Sequence, residues 1–214
     1  MGVEVKVCGL MQSGDAVVAV EAGASYLGVV FAGGPRQVSV PEARAIVAAA
    51  EGRPVIGVFG AHSAGEILAL RRQVGLSGAQ LHGGFDPETA ARLRAEGMGV
   101  WGVVRLRREE ETTALAAIAA AVDAVLVEPR VEGMCGGTGI PLDHALARAA
   151  RQALAGHRMV LAGGLRPDTV SAAIAAVKPD IVDVSSGIET APGRKDPARV
   201  RLFLEAVRGD QPSP

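Results

Sequence analysis

The sequence predicts a single-domain (β/α)8 barrel, a TIM-type α/β fold, on three observations. Short apolar runs rich in β-branched residues alternate eight times with helical stretches rich in alanine and leucine, which implies a parallel sheet with helical crossovers. The runs are mostly apolar, as in strands covered on both faces. Glycine-rich segments follow each of the last three runs, at 136–139, 162–165 and 185–187, and the loops after the last strands of this barrel often hold phosphate. An open doubly wound sheet could carry the same alternation. However, no run is followed by G-x-G-x-x-G, and no break in composition divides two halves. The barrel is expected over residues 1–209, with a loose tail at 210–214.

The elements follow in order. VEVKVC (3–8) ends on Cys8, and a helix over 13–22 opens at Ser13. YLGVVF (26–31) leads through AGGPRQ, which carries Arg36, to a helix over 40–50. PVIGVF (54–59) precedes His62 and a helix over 63–74 opened by Ser63. GAQL (78–81) runs into His82 and a glycine pair, and Asp86-Pro87 open a helix over 87–96. GVWGVV (99–104) leads to Arg105, Arg107 and a helix over 109–121. AVLV (124–127) precedes Glu128, then PRVEGMCGGTG and a helix over 142–155. MVLA (159–162) is followed by GGL and a helix over 168–177 opened by Asp168. IVDV (181–184) is followed by SSGIE and a last helix over 197–207. The serines and aspartates named as openers carry oxygens able to accept from the free N–H groups of a first helical turn.

Charge and composition narrow the function. The 214 residues carry a net charge of -1, so there is no global basic field for nucleic acid. No apolar run approaches a membrane span, and no charged-then-apolar leader precedes the first strand. The expectation is a cytoplasmic protein whose partner is a phosphorylated small molecule, with no nucleic acid and no membrane; monomer and homodimer both stay open. The two cysteines, Cys8 and Cys135, are too few for a disulfide framework and are expected to be reduced. The histidines, at 62, 82, 144 and 157, form no metal-ligand spacing. No metal is therefore expected. A Schiff-base enzyme would need a lysine in the barrel mouth. Lys178 falls on the bottom face, Lys195 in a long loop, and Lys6 two residues below a strand end.

Chemistry in this fold sits at the C-terminal ends of the strands. Cys8 stands there, and strand alternation puts Lys6 on its side. A nearby ammonium would favour the thiolate, which serves as nucleophile or general base. A free cysteine is equally at home as a small buried hydrophobe. Glu128 is either a proton donor or acceptor on the rim or a solvated loop acid. Arg36 is either a fork for a substrate carboxylate or phosphate or a surface charge. His82 either contacts substrate or holds its loop. Gly137, Gly139, Gly163, Gly164, Ser185, Ser186 and Gly187 either present backbone N–H groups to an anion or form tight turns.

These strand ends resemble one family. KVCGL, LGVVFAGGPRQVS, VIGVF, QLHG, GGTG, LAGGLRPDTV and DVSSGIETAPGRKDP together are similar to the phosphoribosylanthranilate isomerases of tryptophan biosynthesis. The likeness runs in order from about residue 3 to residue 207. It implies a (β/α)8 barrel and a cofactor-free Amadori rearrangement of N-(5-phosphoribosyl)anthranilate to 1-(2-carboxyphenylamino)-1-deoxyribulose 5-phosphate. In the family, a general acid opens the furanose ring to a Schiff base. A cysteine after the first strand then takes the C2′ proton, and the enolamine tautomerises to the ketone. By resemblance Cys8 is that base and Arg36 faces the anthranilate carboxylate. The glycine loops hold the phosphate, and Asp183 lies near the substrate hydroxyls. Lys6 and His82 join the substrate-binding set.

The chain departs from the family pattern at three places. Glu128 stands where an aspartate is usual as the general acid. Met11 replaces a threonine after KxCGL, and GAHS lacks an asparagine often found after the third strand. The alternatives are a paralogue isomerising another N-linked phosphopentose and a non-catalytic phosphosugar-binding barrel. A histidine-pathway isomerase would carry aspartate in place of Cys8.

Overall fold

Val55, Ile56, Gly57, Val58 and Phe59 are all buried, the mark of a strand with cover on both faces. They form β3 (Val55–Phe59). The computed structural model describes residues 2–130 and 141–209. The other barrel strands are β1 (Glu4–Val7), β2 (Tyr26–Val30), β4 (Gly78–Leu81), β5 (Gly99–Leu106), β6 (Ala124–Pro129), β7 (Met159–Leu161) and β8 (Ile181–Val184). Each pairs with the next in parallel, and β1 pairs with β8 with Lys6 opposite Asp183, closing the ring. Closure leaves no barrel strand with an unpaired edge.

The crossovers are α1 (Ser13–Glu21), α2 (Val40–Ala48), α3 (Ala64–Val74), α4 (Pro87–Ala95), α5 (Leu115–Ala119), α6 (His144–Ala153), α7 (Val170–Val177) and α8 (Pro197–Gly209). Ser39 with Glu42 and Ser63 with Glu66 form reciprocal capping boxes at α2 and α3. Asp86 and Asp143 accept from the first turns of α4 and α6. Two expected openers fail. Gln12 holds the cap position of α1, so Ser13 is already helical, and Thr169 rather than Asp168 precedes α7. The fifth crossover begins as a 3₁₀ turn over Glu109–Ala114. There the Thr112 and Thr113 hydroxyls donate to the carbonyls of Glu109 and Glu110, three residues back. Such side-chain bonds compete with regular helix.

Alternate residues point inward. Ile56, Trp101, Val103, Ala124, Leu126, Val160, Ala162 and Ile181 fill the barrel, with Tyr26 against them. The Tyr26 and Trp101 rings meet edge to face at 5.1 Å, a favoured aromatic geometry. A larger apolar cluster, including Leu27, Ile46, Ile67, Leu93 and Phe203, lies between ring and helices. Burying each such side chain contributes about 1.5–3 kcal/mol.

Three boundaries differ from expectation in ways that matter for the site. β1 stops at Val7, though the Cys8 N–H still donates to Val184 O at 2.9 Å. β5 and β6 run two residues further than the apolar pattern, so Arg105 pairs with Glu128 and Leu106 with Pro129 inside the sheet. The stretch read as a long loop after β8 contains a hairpin, β9 (Glu189–Ala191) with β10 (Arg194–Lys195). The tail at 210–214, with Cys135, Gly137 and Gly139, lies outside the described residues.

Candidate active site

The inward parity of β1 carries Lys6 into the barrel and Cys8 to its mouth. Lys6 is fully buried. Its Nζ donates to Asp183 Oδ1 at 2.8 Å and Gln80 Oε1 at 3.0 Å, and lies 5.8 Å from the Trp101 ring centroid. Burial alone would lower the Lys6 ammonium, but Asp183 and Cys8 outweigh it and hold it above its ordinary value. Lys6 thus reaches the mouth through the groups above it.

Cys8 is buried beside Gly28. A Cβ at position 28 would stand 2.8 Å from Cys8 Sγ and 3.0 Å from Lys6 Cε, so this niche requires glycine. Burial pushes the thiol up. Lys6 opposes this, Asp183 adds to it, and the net direction is upward. The neighbouring ammonium does favour the thiolate, as expected, but desolvation outweighs it.

Glu128 is buried and faces inward from β6, three strands round the ring from β1. Arg105 Nε donates to Glu128 Oε1 at 2.8 Å, and an Arg105 Nη2 proton goes to the His82 carbonyl at 3.2 Å. His82 Nε2 is 3.7 Å from the same carboxylate oxygen. Glu128 is thus no solvated loop acid, and His82 and Arg105 surround it. Asp123 is at the far end of β6, accepting from Val100 N.

Arg36 comes over from the loop after β2. Its Nε and Nη2 both donate to Glu189, the shortest contact being 2.6 Å. Lys195 Nζ donates to the same carboxylate at 2.6 Å, and to the carbonyl and hydroxyl of Ser185 at 3.3 and 3.4 Å. A Cβ at Gly9 would lie 2.6 Å from Arg36 Cδ and 2.8 Å from Ser185 Oγ. Arg36 therefore closes directly over the residue next to Cys8. Lys195, expected in a long loop, is buried.

Gly163 and Gly164 have φ of 96° and 62°, a region glycine enters freely. Their N–H groups donate to no acceptor among the described residues. Ser186, Gly187 and Ile188 form a 3₁₀ turn after Ser185. A Cβ on Gly187 would lie 1.9 Å from the Leu165 carbonyl, so the loops after β7 and β8 are pressed together. Backbone donors on this rim suit an anion. Among the described residues, no group of three His, Cys, Asp or Glu side chains is placed to hold a metal. No helix among them is long and apolar enough to cross a membrane.

Fold and site together define a (β/α)8-barrel enzyme with a thiol and a carboxyl at the carboxyl ends of its strands. The chain belongs to the N-(5′-phosphoribosyl)anthranilate isomerase family, whose model matches residues 5–206. It is 40% identical to the N-(5′-phosphoribosyl)anthranilate isomerase of Rubrobacter xylanophilus, over 96% of this chain and 98% of the relative. The phosphoribosyl anthranilate isomerase of Thermotoga maritima superposes with a TM-score of 0.87 at 32% identity, covering 97% of this chain and 99% of that one. A further solved isomerase, in complex with reduced 1-(o-carboxyphenylamino)-1-deoxyribulose 5-phosphate, superposes with a TM-score of 0.84 at 31% identity, covering 97% and 99%.

Proposed function

We propose that this barrel isomerises N-(5-phosphoribosyl)anthranilate to 1-(2-carboxyphenylamino)-1-deoxyribulose 5-phosphate, with Glu128 as general acid and Cys8 as general base. The observation that carries the assignment of roles is the placement of a buried thiol just after β1 and a buried carboxyl on β6, at one barrel mouth. The reaction needs one donor and one acceptor on separate sides of the sugar.

Glu128 gives its proton to the furanose ring oxygen. The C1′–O bond breaks as the anilino nitrogen lone pair forms the C1′=N bond. Arg105 then stabilises the carboxylate left behind through its 2.8 Å bond to Oε1. The iminium acidifies the C2′ hydrogen, and the Cys8 thiolate removes it. A thiol held high by burial yields a small thiolate fraction but a stronger base once ionised. The resulting enolamine tautomerises to the ketone, C1′ gaining a proton as the C2′ hydroxyl loses one; the proton held by Cys8 is released to solvent and Glu128 takes one back, so atoms balance without a co-reactant.

The substrate phosphate is assigned to Gly163, Gly164, Ser185, Ser186 and Gly187, and its carboxylate to Arg36. Asp183 and His82 face the sugar, and Lys6 acts on the site from below through Asp183 and Cys8. The relative solved with the reduced product supports this substrate class. The same reading takes the enzyme as cytoplasmic and as a monomer or homodimer. The test is loss of substrate fluorescence when purified protein meets freshly made phosphoribosylanthranilate. Consumption with formation of the ketose supports the assignment, and no consumption overturns it.

A further inference from the structure

Arg36 does not stand alone. Glu189 occupies the Nε/Nη2 edge of its guanidinium with three contacts of 2.9, 3.2 and 2.6 Å. Glu189 would by itself cancel the positive charge that a carboxylate ligand needs. Lys195 shares the Glu189 carboxylate at 2.6 Å, so two cations flank one anion and the cluster keeps one positive charge. Both partners of Arg36 are held by other groups: Lys195 by Ser185, and the Glu189 carbonyl by Arg199 at 2.6 Å. The Lys195 backbone N–H is held by Asp15 at 3.4 Å. Burial would raise the Glu189 carboxyl, but Arg36 and Lys195 outweigh it and keep it below the usual carboxylate value. Burial lowers the Lys195 ammonium, partly offset by Glu189.

We propose that Glu189 and Lys195 are the positioning pair for carboxylate recognition by Arg36. Glu189 fixes the guanidinium plane and takes one edge, leaving the Nη1/Nη2 edge for the aryl carboxylate of the substrate. Lys195 restores the charge that Glu189 removes. A planar fork held in one orientation suits a bidentate carboxylate far better than a mobile one. The inference rests on the assignment of Arg36 to that carboxylate. The hairpin of β9 and β10 exists, on this view, to deliver both partners from one short turn.

The test uses two probes, reduced 1-(o-carboxyphenylamino)-1-deoxyribulose 5-phosphate and its phenylamino counterpart without the carboxylate. Their Kd values are measured by titration calorimetry on the intact protein and on Arg36→Ala, Glu189→Gln, Lys195→Met and Lys195→Arg. The preference for the carboxylated probe is expected to fall about tenfold or more in Arg36→Ala, as a charged hydrogen bond is lost. It is expected to fall by a similar factor in Glu189→Gln and Lys195→Met, and to recover most of its value in Lys195→Arg. The double variant Arg36→Ala/Glu189→Gln should lose no more preference than Arg36→Ala alone, because Glu189 acts through Arg36. Equal weakening of both probes in the Glu189 and Lys195 variants, with the preference for the carboxylated probe lost in Arg36→Ala alone, overturns the positioning role and leaves Arg36 in place. An unchanged preference in Arg36→Ala overturns the Arg36 assignment itself. If Lys195→Met does not fold, Glu189→Gln decides between these outcomes.

Discussion

Arg105 Nε lies 2.8 Å from Glu128 Oε1, and the two residues are register partners on β5 and β6. The glutamate carboxyl meets this guanidinium from the neighbouring strand. Glu128→Gln should therefore reduce kcat on phosphoribosylanthranilate by about 10²–10⁴-fold, since an amide cannot supply the ring-opening proton. Glu128→Asp should fall between parent and Gln variant, because withdrawing the carboxyl by one methylene loosens its bond to Arg105. Steady-state kcat values decide it, and a fully active Gln variant removes Glu128 from the mechanism.

Cys8→Ser should lower kcat about 10²–10⁴-fold while KM changes little, because a hydroxyl is a far weaker acid and is scarcely ionised. The pH profile adds a sign. The base works deprotonated and the folded thiol is held above its ordinary value. The rising limb of kcat/KM should thus lie above the ordinary thiol value of about 8.5 and be absent in Cys8→Ser. A parent limb below that value contradicts the assignment.

Lys6→Met should destabilise the fold by about 3 kcal/mol or more in urea unfolding. Removing one partner of a buried pair leaves the other charge uncompensated. Here the group left is Asp183, bonded to Lys6 at 2.8 Å with 12% of its side chain exposed. Equal unfolding midpoints in parent and variant would show that Asp183 finds another partner.

Glu189 makes stability sensitive to acid. Its folded carboxyl is depressed below its ordinary value. The stability it contributes is therefore present above about pH 4.3, the ordinary glutamate value, and is lost as pH falls through the lower folded value. Unfolding free energies of parent and Glu189→Gln should differ at pH 7 and converge toward pH 3. A constant difference across that range would remove Glu189 from the acid response.

The ring and the order of its elements were legible because most strand positions are buried on either face, so the strands read as short, largely apolar runs. Cys8 and Glu128 were legible because parity and strand ends place inward groups. Arg105 was named at a strand end without a role. A charged residue breaks the apolar run, so the pattern ended β5 at 104 although the backbone ladder continues to Leu106. Glu189 and Lys195 were hidden for another reason. Their burial depends on a short hairpin meeting Arg36 from a loop 153 residues away, and no local periodicity encodes that meeting. The P-G pair at 192–193 marks a turn, which was the available signal for the hairpin.

Gly28 bears on how this enzyme's sequence can drift. An added carbon there would press on Cys8 Sγ, on Lys6 Cε and, at 3.1 Å, on the Cys8 backbone, and both side chains are buried. Positions 6, 8 and 28 therefore form one packing unit. Alanine at 28 is barred while a thiol and an ammonium stem occupy the facing space. A lineage that exchanged the thiol for a bulkier base would meet the same barrier from the other side. The route to a different base at the first strand runs through simultaneous change on the second, so stepwise evolution is expected to keep the thiol and to explore substrate preference elsewhere on the rim.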